Sequence, residues 1–233
     1  MRKKIIEEIY NKNFDWLKTV DDIEFNNQDE DGDTLLHEIA DDYLEEDMKG
    51  ILIFGVISRM TSETINMKNN IGETALELAI WRYNSDLCKS LIPRMTLKTL
   101  TSRARNGRRH SRNADKQRLD EVQDLIDNTI NKLEDEVWEE MLTAHRIYSQ
   151  NPLETRGFSI VDCTERNHKE GNALYKKVFD KVDYSYNNPL HIAIRKNDVR
   201  NISICKYILT HMTIEDINST DRDCETVLHE CAY

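Results

Sequence analysis

Four segments of the chain share one frame. GDTLLHEIA from Gly32, GETALELAI from Gly72, NNPLHIAIRKND from Asn187 and CETVLHECA from Cys224 align, with Asn188 in the place that Thr34, Thr74 and Thr226 hold. A second block recurs. LCKSLIPRMTLKTL from Leu87 matches ICKYILTHMTIEDI from Ile204, pairing Cys88 with Cys205, Leu91 with Ile208 and Met95 with Met212; both are similar to ISRMTSETIN from Ile57. The offset of the two longer copies is 204 − 87 = 117 residues, three times 39, while the Thr34 to Thr74 step is 40 and the Asn188 to Thr226 step is 38. A unit of 38 to 40 residues fits every pair. Such a period marks stacked repeats, each burying its apolar face only against its neighbours.

Composition narrows the unit to helices. With 7 Gly and 3 Pro in 233 residues and few β-branched runs, the expected class is all-α with short connections. A 39% hydrophobic content is enough for a sizeable core.

The frame resembles the ankyrin repeat, whose core reads G-x-T-P-L-H-x-A in units of about 33 residues. The resemblance implies a solenoid in which Thr caps a short helix, Thr and His hydrogen-bond between neighbouring loops, and Leu faces the next repeat. This chain departs from the pattern in places. Pro is kept only at Pro189, Glu77 stands where His is expected, and Cys224 and Tyr186 replace the loop Gly, where a positive φ is costly. At the other end, Ile5, Ile6, Ile9 and Tyr10 form one helical stripe and Phe14, Leu17 and Val20 a second, separated by the turn residues NKN, as a capping helix pair requires.

Between Leu100 and about Asp183 the frame is lost. That length would hold two degenerate units. Against this, Leu119, Val122, Ile126, Ile130, Leu133, Val137 and Met141 recur three or four apart with no Gly or Pro between them, which predicts a helix about 45 Å long at 1.5 Å per residue. A helical insertion is the preferred reading. GNALYKKVFDKV from Gly171 is expected to pack back on that helix through Leu174, Val178 and Phe179. The expected organisation is therefore an N-terminal ankyrin block at 1–101, a helical insertion with a basic loop at 102–183, and a truncated C-terminal block at 184–233, because Tyr233 falls where a first helix would continue. A stripe this long needs a cover, which the flanking repeats or a dimer would supply.

The basic loop, RARNGRRHSR, carries Arg103, Arg105, Arg108, Arg109 and Arg112. It is either a solvated surface loop or a site for an acidic protein partner, nuclear import or phosphate. No aromatic residue interleaves it, which weighs against nucleic acid. Lys and Arg total 32 against 43 Asp and Glu, a net charge of −11, which disfavours whole-molecule binding to nucleic acid or an anionic membrane.

No catalytic constellation emerges. Cys88, Cys163, Cys205, Cys224 and Cys231 form no CxxC pair and no metal-ligand spacing, so neither a metal nor a cofactor is expected. They read as reduced thiols of an intracellular, cytosolic protein. His37, His191 and His229 belong to the repeat frame, and Cys163 beside Asp162 and His168 is the one enzyme-like cluster. The start of the chain lacks the apolar core of a signal peptide, and no stretch of about 18 apolar residues is present to span a membrane.

These readings point to a protein-binding module. The resemblance places partner contacts at the two residues before the loop Gly, the one after it, and two at the end of the first helix. On this chain those are Glu30, Asp31, Asp33, Asp41 and Asp42; Asn70, Ile71, Glu73, Trp81 and Arg82; and Tyr184, Ser185, Asn187, Arg195 and Lys196. The face would run from acidic to basic, with Trp81 and Tyr184 as aromatic anchors. Long units with RMTSETIN-like joints are similar to ankyrin effectors that intracellular bacteria inject into host cells, which implies a place in host cytosol or nucleus. The alternative is an enzyme whose catalytic part is the insertion or further chain, with the repeats selecting substrate; a structural spacer is the third possibility.

Overall fold

The computed structural model describes residues 2–11, 13–41, 55–104, 108, 110–117, 119–149, 160–182, 188–196, 201–221 and 225–232; the side chains of 2, 10, 14, 112, 116, 160–167 and 201 lie outside the described set. The chain is mostly helical, with no strand among the described residues. Two compact units make it up, 1–129 and 130–233.

The first unit contains α1 (Arg2–Tyr10), α2 (Phe14–Leu17), α3 (Asp22–Phe25), α4 (Leu35–Asp41), α5 (Ser62–Ile65), α6 (Ala75–Trp81), α7 (Ser85–Leu91), α8 (Leu97–Thr101) and α9 (His110–Lys116). The division falls within α10 (Asp120–Ser149), and the second unit goes on to α11 (Ile160–Phe179), α12 (Pro189–Arg195), α13 (Asn201–Leu209), α14 (Ile214–Ile217) and α15 (Val227–Glu230).

Caps explain why so many helices are short. In the recurring Met-Thr blocks, Thr61, Thr96 and Thr213 accept the backbone N–H three residues on, at 3.1, 3.2 and 3.1 Å, and so open α5, α8 and α14. Asn26 and Asn66 close the preceding helix of the series, and their Oδ1 atoms accept from the N–H of Thr61 (2.8 Å) and Thr96 (2.9 Å). The end of α3 thereby fixes the start of α5, and the end of α5 the start of α8. Arg59 and Arg94, just before two of these blocks, reinforce the stack: Arg59 donates to the carbonyls of Leu17 (2.7 Å) and Val20, and Arg94 to that of Ile57 at 3.2 Å.

Before α4 and α6 the backbone turns through a hairpin, and the bond that closes it recurs before α15. The N–H of Asp29 donates to the carbonyl of Asp33 at 3.0 Å, Asn69 to Glu73 at 2.9 Å, and Asp221 to Glu225 at 2.8 Å. The same bond occurs where the sequence frame fails, with the N–H of Ala104 donating to the Arg108 carbonyl at 2.8 Å. The register continues beyond it. Leu119 donates to Ala114 at 2.9 Å just as Asn84 donates to Ala79 at 2.8 Å, both 35 residues earlier. Burial follows the same offset: Ala114, Val122 and Ile126 are fully buried, as are Ala79, Leu87 and Leu91. Helix α9 ends at Lys116 and α10 starts at Asp120, so Leu119 precedes the long helix rather than lying on its stripe.

Helix α10 is 30 residues long, about 45 Å. Val122, Ile126, Ile130, Val137 and Met141 are buried as the stripe predicts, while Leu133 is half-buried. Trp138, Leu142 and Ala144 are buried as well, so the covered face is wider than the stripe. Helix α11 begins at Ile160, well before Gly171, and buries Tyr175, Val178 and Phe179; Leu174 is half-buried. In the second unit α10 meets α11 through Lys181–Glu140 (2.6 Å) and meets the end of α12 through Lys196–Asp135.

The two loop glycines differ in their surroundings. Gly32 (φ 76°) and Gly72 (φ 84°) both occupy the left-handed region, but a Cβ on Gly32 would lie 2.8 Å from the backbone N of Asn70, whereas nothing lies within 4 Å of one on Gly72. Gly72→Ala is expected to cost about 1 kcal/mol through strain alone, and Gly32→Ala about 2 kcal/mol, read as midpoint shifts in urea. Equal costs would mean that the two hairpins do not pack as described.

Candidate partner-binding face

In the first unit the hairpin tips are tied to each other through their backbones. Asn70 N–H donates to the Asp31 carbonyl at 3.0 Å, and Asn70 Nδ2 to the Glu30 carbonyl at 2.8 Å. Asp29 Oδ1 accepts from the N–H groups of Asp31 (3.0 Å) and Asp33 (2.8 Å); Asn69 Oδ1 does the same for Ile71 (3.2 Å) and Glu73 (2.9 Å). The backbone polar groups of these tips are thus satisfied internally. The side chains of Glu30, Asp31 and Ile71 are exposed to solvent.

A histidine carries the coupling one layer deeper. His37 Nδ1 accepts from Thr34 N–H at 3.1 Å, which leaves Nε2 protonated to donate to the Glu73 carbonyl of the next hairpin at 3.0 Å. His37 is buried, consistent with a structural role. His229 repeats the local part, with Thr226 N–H at 3.3 Å from its Nδ1. At the fourth site Asn188 replaces Thr: its Oδ1 accepts from Leu190 and His191 N–H at 2.9 and 3.1 Å, while its Nδ2 donates to the Asp216 carbonyl at 2.8 Å.

At Glu77 the histidine place holds an acid, and the partner is inverted. His110 of α9 brings Nε2 to 3.4 Å from Glu77 Oε1, with the two side chains 0% and 1% exposed.

The predicted contact residues are distributed unevenly. Glu30, Asp31, Asp41, Asn70, Ile71, Trp81 and Arg82 are exposed, and Asp33 and Glu73 are half-buried. Asp33 accepts from Asn69 Nδ2 at 2.8 Å, and Arg82 is paired with Asp41 at 2.5 Å. Ile71 (54% exposed) and Trp81 (42%) are large apolar groups left in water. Tyr83, which the sequence reading passed over, is 62% exposed and holds φ at 58°. A bulky side chain rarely adopts that conformation.

In the second unit Arg195 and Lys196 are engaged within the chain. Arg195 lies 3.3 Å from Glu230 and 3.7 Å from Glu134, and Lys196 pairs with Asp135. Asp42, Tyr184, Ser185, Asn187, Arg105 and Arg109 lie outside the described residues, as does the side chain of Arg112. Arg103 and Arg108 are exposed.

Burial pushes the Cys88 thiol up to about 12 and raises that of Cys205, which suppresses thiolate formation. The Cys163 side chain lies outside the described set, and His168 is exposed, stacked on Tyr148 with ring centroids 4.5 Å apart. Among the described residues no helix is long and apolar enough to cross a membrane, and no group of His, Cys, Asp or Glu is arranged to hold a metal ion. No protein-family model matches the chain, and no curated protein matches it either.

Proposed function

We propose that this chain is a protein-binding module of ankyrin type, which recognises its partner through hairpin tips and the ends of first helices. The hydrogen-bond register carries the reading: one backbone bond, from an N–H to the carbonyl four residues on, recurs at Asp29, Asn69, Ala104 and Asp221. Loops whose backbones satisfy each other hold their side chains rigidly toward solvent, which lowers the entropy lost on binding. On this reading the arginine-rich run belongs to one more unit of the solenoid, and the insertion begins where α10 outgrows the seven residues of α7.

In the first unit the face is acidic and aromatic. Glu30, Asp31 and Asp33 flank Gly32, while Trp81 and Tyr83 end α6, a helix of seven residues and so about 10 Å long. That combination fits a basic segment of a partner, with cations attracted by the carboxylates and stacked on the rings.

Tyr83 offers a test because stability and binding should move in opposite directions. Tyr83→Asn relieves the positive φ and is expected to stabilise the chain by up to about 1 kcal/mol. It should also deplete the proteins that the wild-type chain retains from cell extract, as should a Trp81→Ala/Asp31→Asn variant, by about tenfold in quantitative mass spectrometry. An unchanged set of retained proteins for both variants, each still folded, would remove this face from consideration.

A further inference from the structure

The second unit leaves uncovered several positions that the frame buries elsewhere. Leu36, Leu76 and Leu190 share one place in the repeat and are 0, 0 and 2% exposed, whereas Leu228 in that place is 75% exposed. Ile57 and Ile92, three residues before a Met-Thr joint, are 1 and 0% exposed, and Leu209 in their place is 43% exposed. Met60, Met95, Ile65 and Leu100 are buried as well, while their counterparts Met212 and Ile217 are only half-buried. Packing accounts for the difference. α4 packs on α6 and α6 on α9, and in the second unit α12 packs on both α13 and α15. Leu36, Leu76 and Leu190 thus lie on helices with a following first helix beside them. Leu228 lies on α15, whose described packing is against α12, and it stays in water. The exposed large hydrophobic side chains described in the second unit are Ile202, Leu209, Ile214 and Leu228, all on α13 to α15. Apolar surface gathered in this way marks a contact.

We propose that this chain pairs with a second copy of itself through a two-fold contact made by Leu209 of α13, Met212 and Ile217 of the joint that follows, and Leu228 of α15. Surfaces of this frame pack on surfaces of the same frame, as α4, α6 and α9 do, and a second copy supplies such a surface. Burial decides which one. A head-to-tail contact would need uncovered apolar positions on α1 to α3, but Ile5, Ile9, Leu17 and Phe25 are buried. Uncovered positions are left to meet their own equivalents, which gives an isologous contact that closes at two copies. The rim carries both signs, with Lys206 on α13 and Glu215 on α14 exposed, so identical faces meet without like charge opposing like throughout.

The contact uses none of the residues assigned to partner binding, so the two proposals stand or fall separately. Together they make the assembly bivalent. A partner with two basic segments would then be held more tightly than one with a single segment, because its second segment binds at the raised effective concentration that the first one sets.

Sedimentation velocity of the full chain, from about 1 to about 100 μM, tests the pairing. The sedimenting species should pass reversibly from one copy to two and stop there. Leu228→Glu and Leu209→Glu each place a charge in the contact but at an exposed position, so circular dichroism should report a folded chain. Each should weaken pairing by about a hundredfold. Ile23→Glu, at an exposed apolar position of the first unit, should leave it unchanged. A chain that is monomeric at every concentration, pairing that survives both Glu variants, equal loss in Ile23→Glu, or growth past two copies would each overturn the proposal.

Discussion

His110→Ala is expected to destabilise the first unit by about 3 kcal/mol, because it strips the facing imidazole from a carboxylate that is out of water. The Glu77 side chain is 1% exposed and lies 3.4 Å from the ring. Glu77→Ala should cost somewhat less, since an imidazole left without its partner in the interior is less costly than an acid side chain left there. The double variant Glu77→Leu/His110→Leu should recover most of the loss, as apolar pairs of similar volume often do for buried ion pairs. Native-state hydrogen exchange at α6 reads all three. Single variants that cost under about 1 kcal/mol each, and add without coupling, would mean that the two side chains do not meet.

That pair also explains what the sequence conceals. The repeat frame was legible where it rests on side chains with one job: the Thr and Asn caps, the Met-Thr joints, and the apolar positions Leu36, Leu76 and Leu190, each buried. The stripe from Val122 to Met141 was legible for the same reason. The stretch from Ala104 to Leu119 was not, although its bonds from Ala104 to Arg108 and from Leu119 to Ala114 match those from Asn69 to Glu73 and from Asn84 to Ala79. Backbone hydrogen bonds make that geometry, and almost any residues can occupy it. Here Arg109, Ser111 and Arg112 stand where the frame has Thr, Leu and His, and the buried positions include His110, Ser111 and Asn113, so a hydrophilic run reads as a loop.

The charge cluster in the second unit was hidden differently. Glu134 and Arg195 are 61 residues apart and Glu230 is 35 further on, so no local pattern links them. Each looks like an ordinary solvated charge at the end or on the face of a helix. Arg195, placed by the repeat frame among the partner contacts, also lies beside two of the chain's own acids, a pairing no repeat pattern predicts.

Replacing Gly171 by Leu is expected to be the most disruptive single change in the second unit, at more than about 3 kcal/mol. Gly171 is buried inside α11, where helix propensity alone would favour Ala by about 1 kcal/mol. What opposes that gain is contact with another backbone: a Cβ there would lie 2.7 Å from Tyr148 Cβ, 2.9 Å from its Cα and 3.0 Å from its N. Main-chain atoms cannot turn aside as a flexible side chain can, so α10 and α11 would have to separate. Separation would undo an aromatic group built around the crossing, in which Tyr148 meets His168 at 4.5 Å and Tyr207 at 4.9 Å, and Tyr175 stacks on Tyr207 at 4.0 Å. Gly171→Ala tests which effect wins, and steric cost should exceed propensity by about 1 kcal/mol. Gly55, with nothing within 4 Å of the position a Cβ would take, is the control at which Ala should be neutral or stabilising. Denaturant midpoints give the energies, and near-UV circular dichroism reports the tyrosine group directly. Stabilisation by Gly171→Ala with an unaltered aromatic signal would show that the two helices do not cross at this glycine.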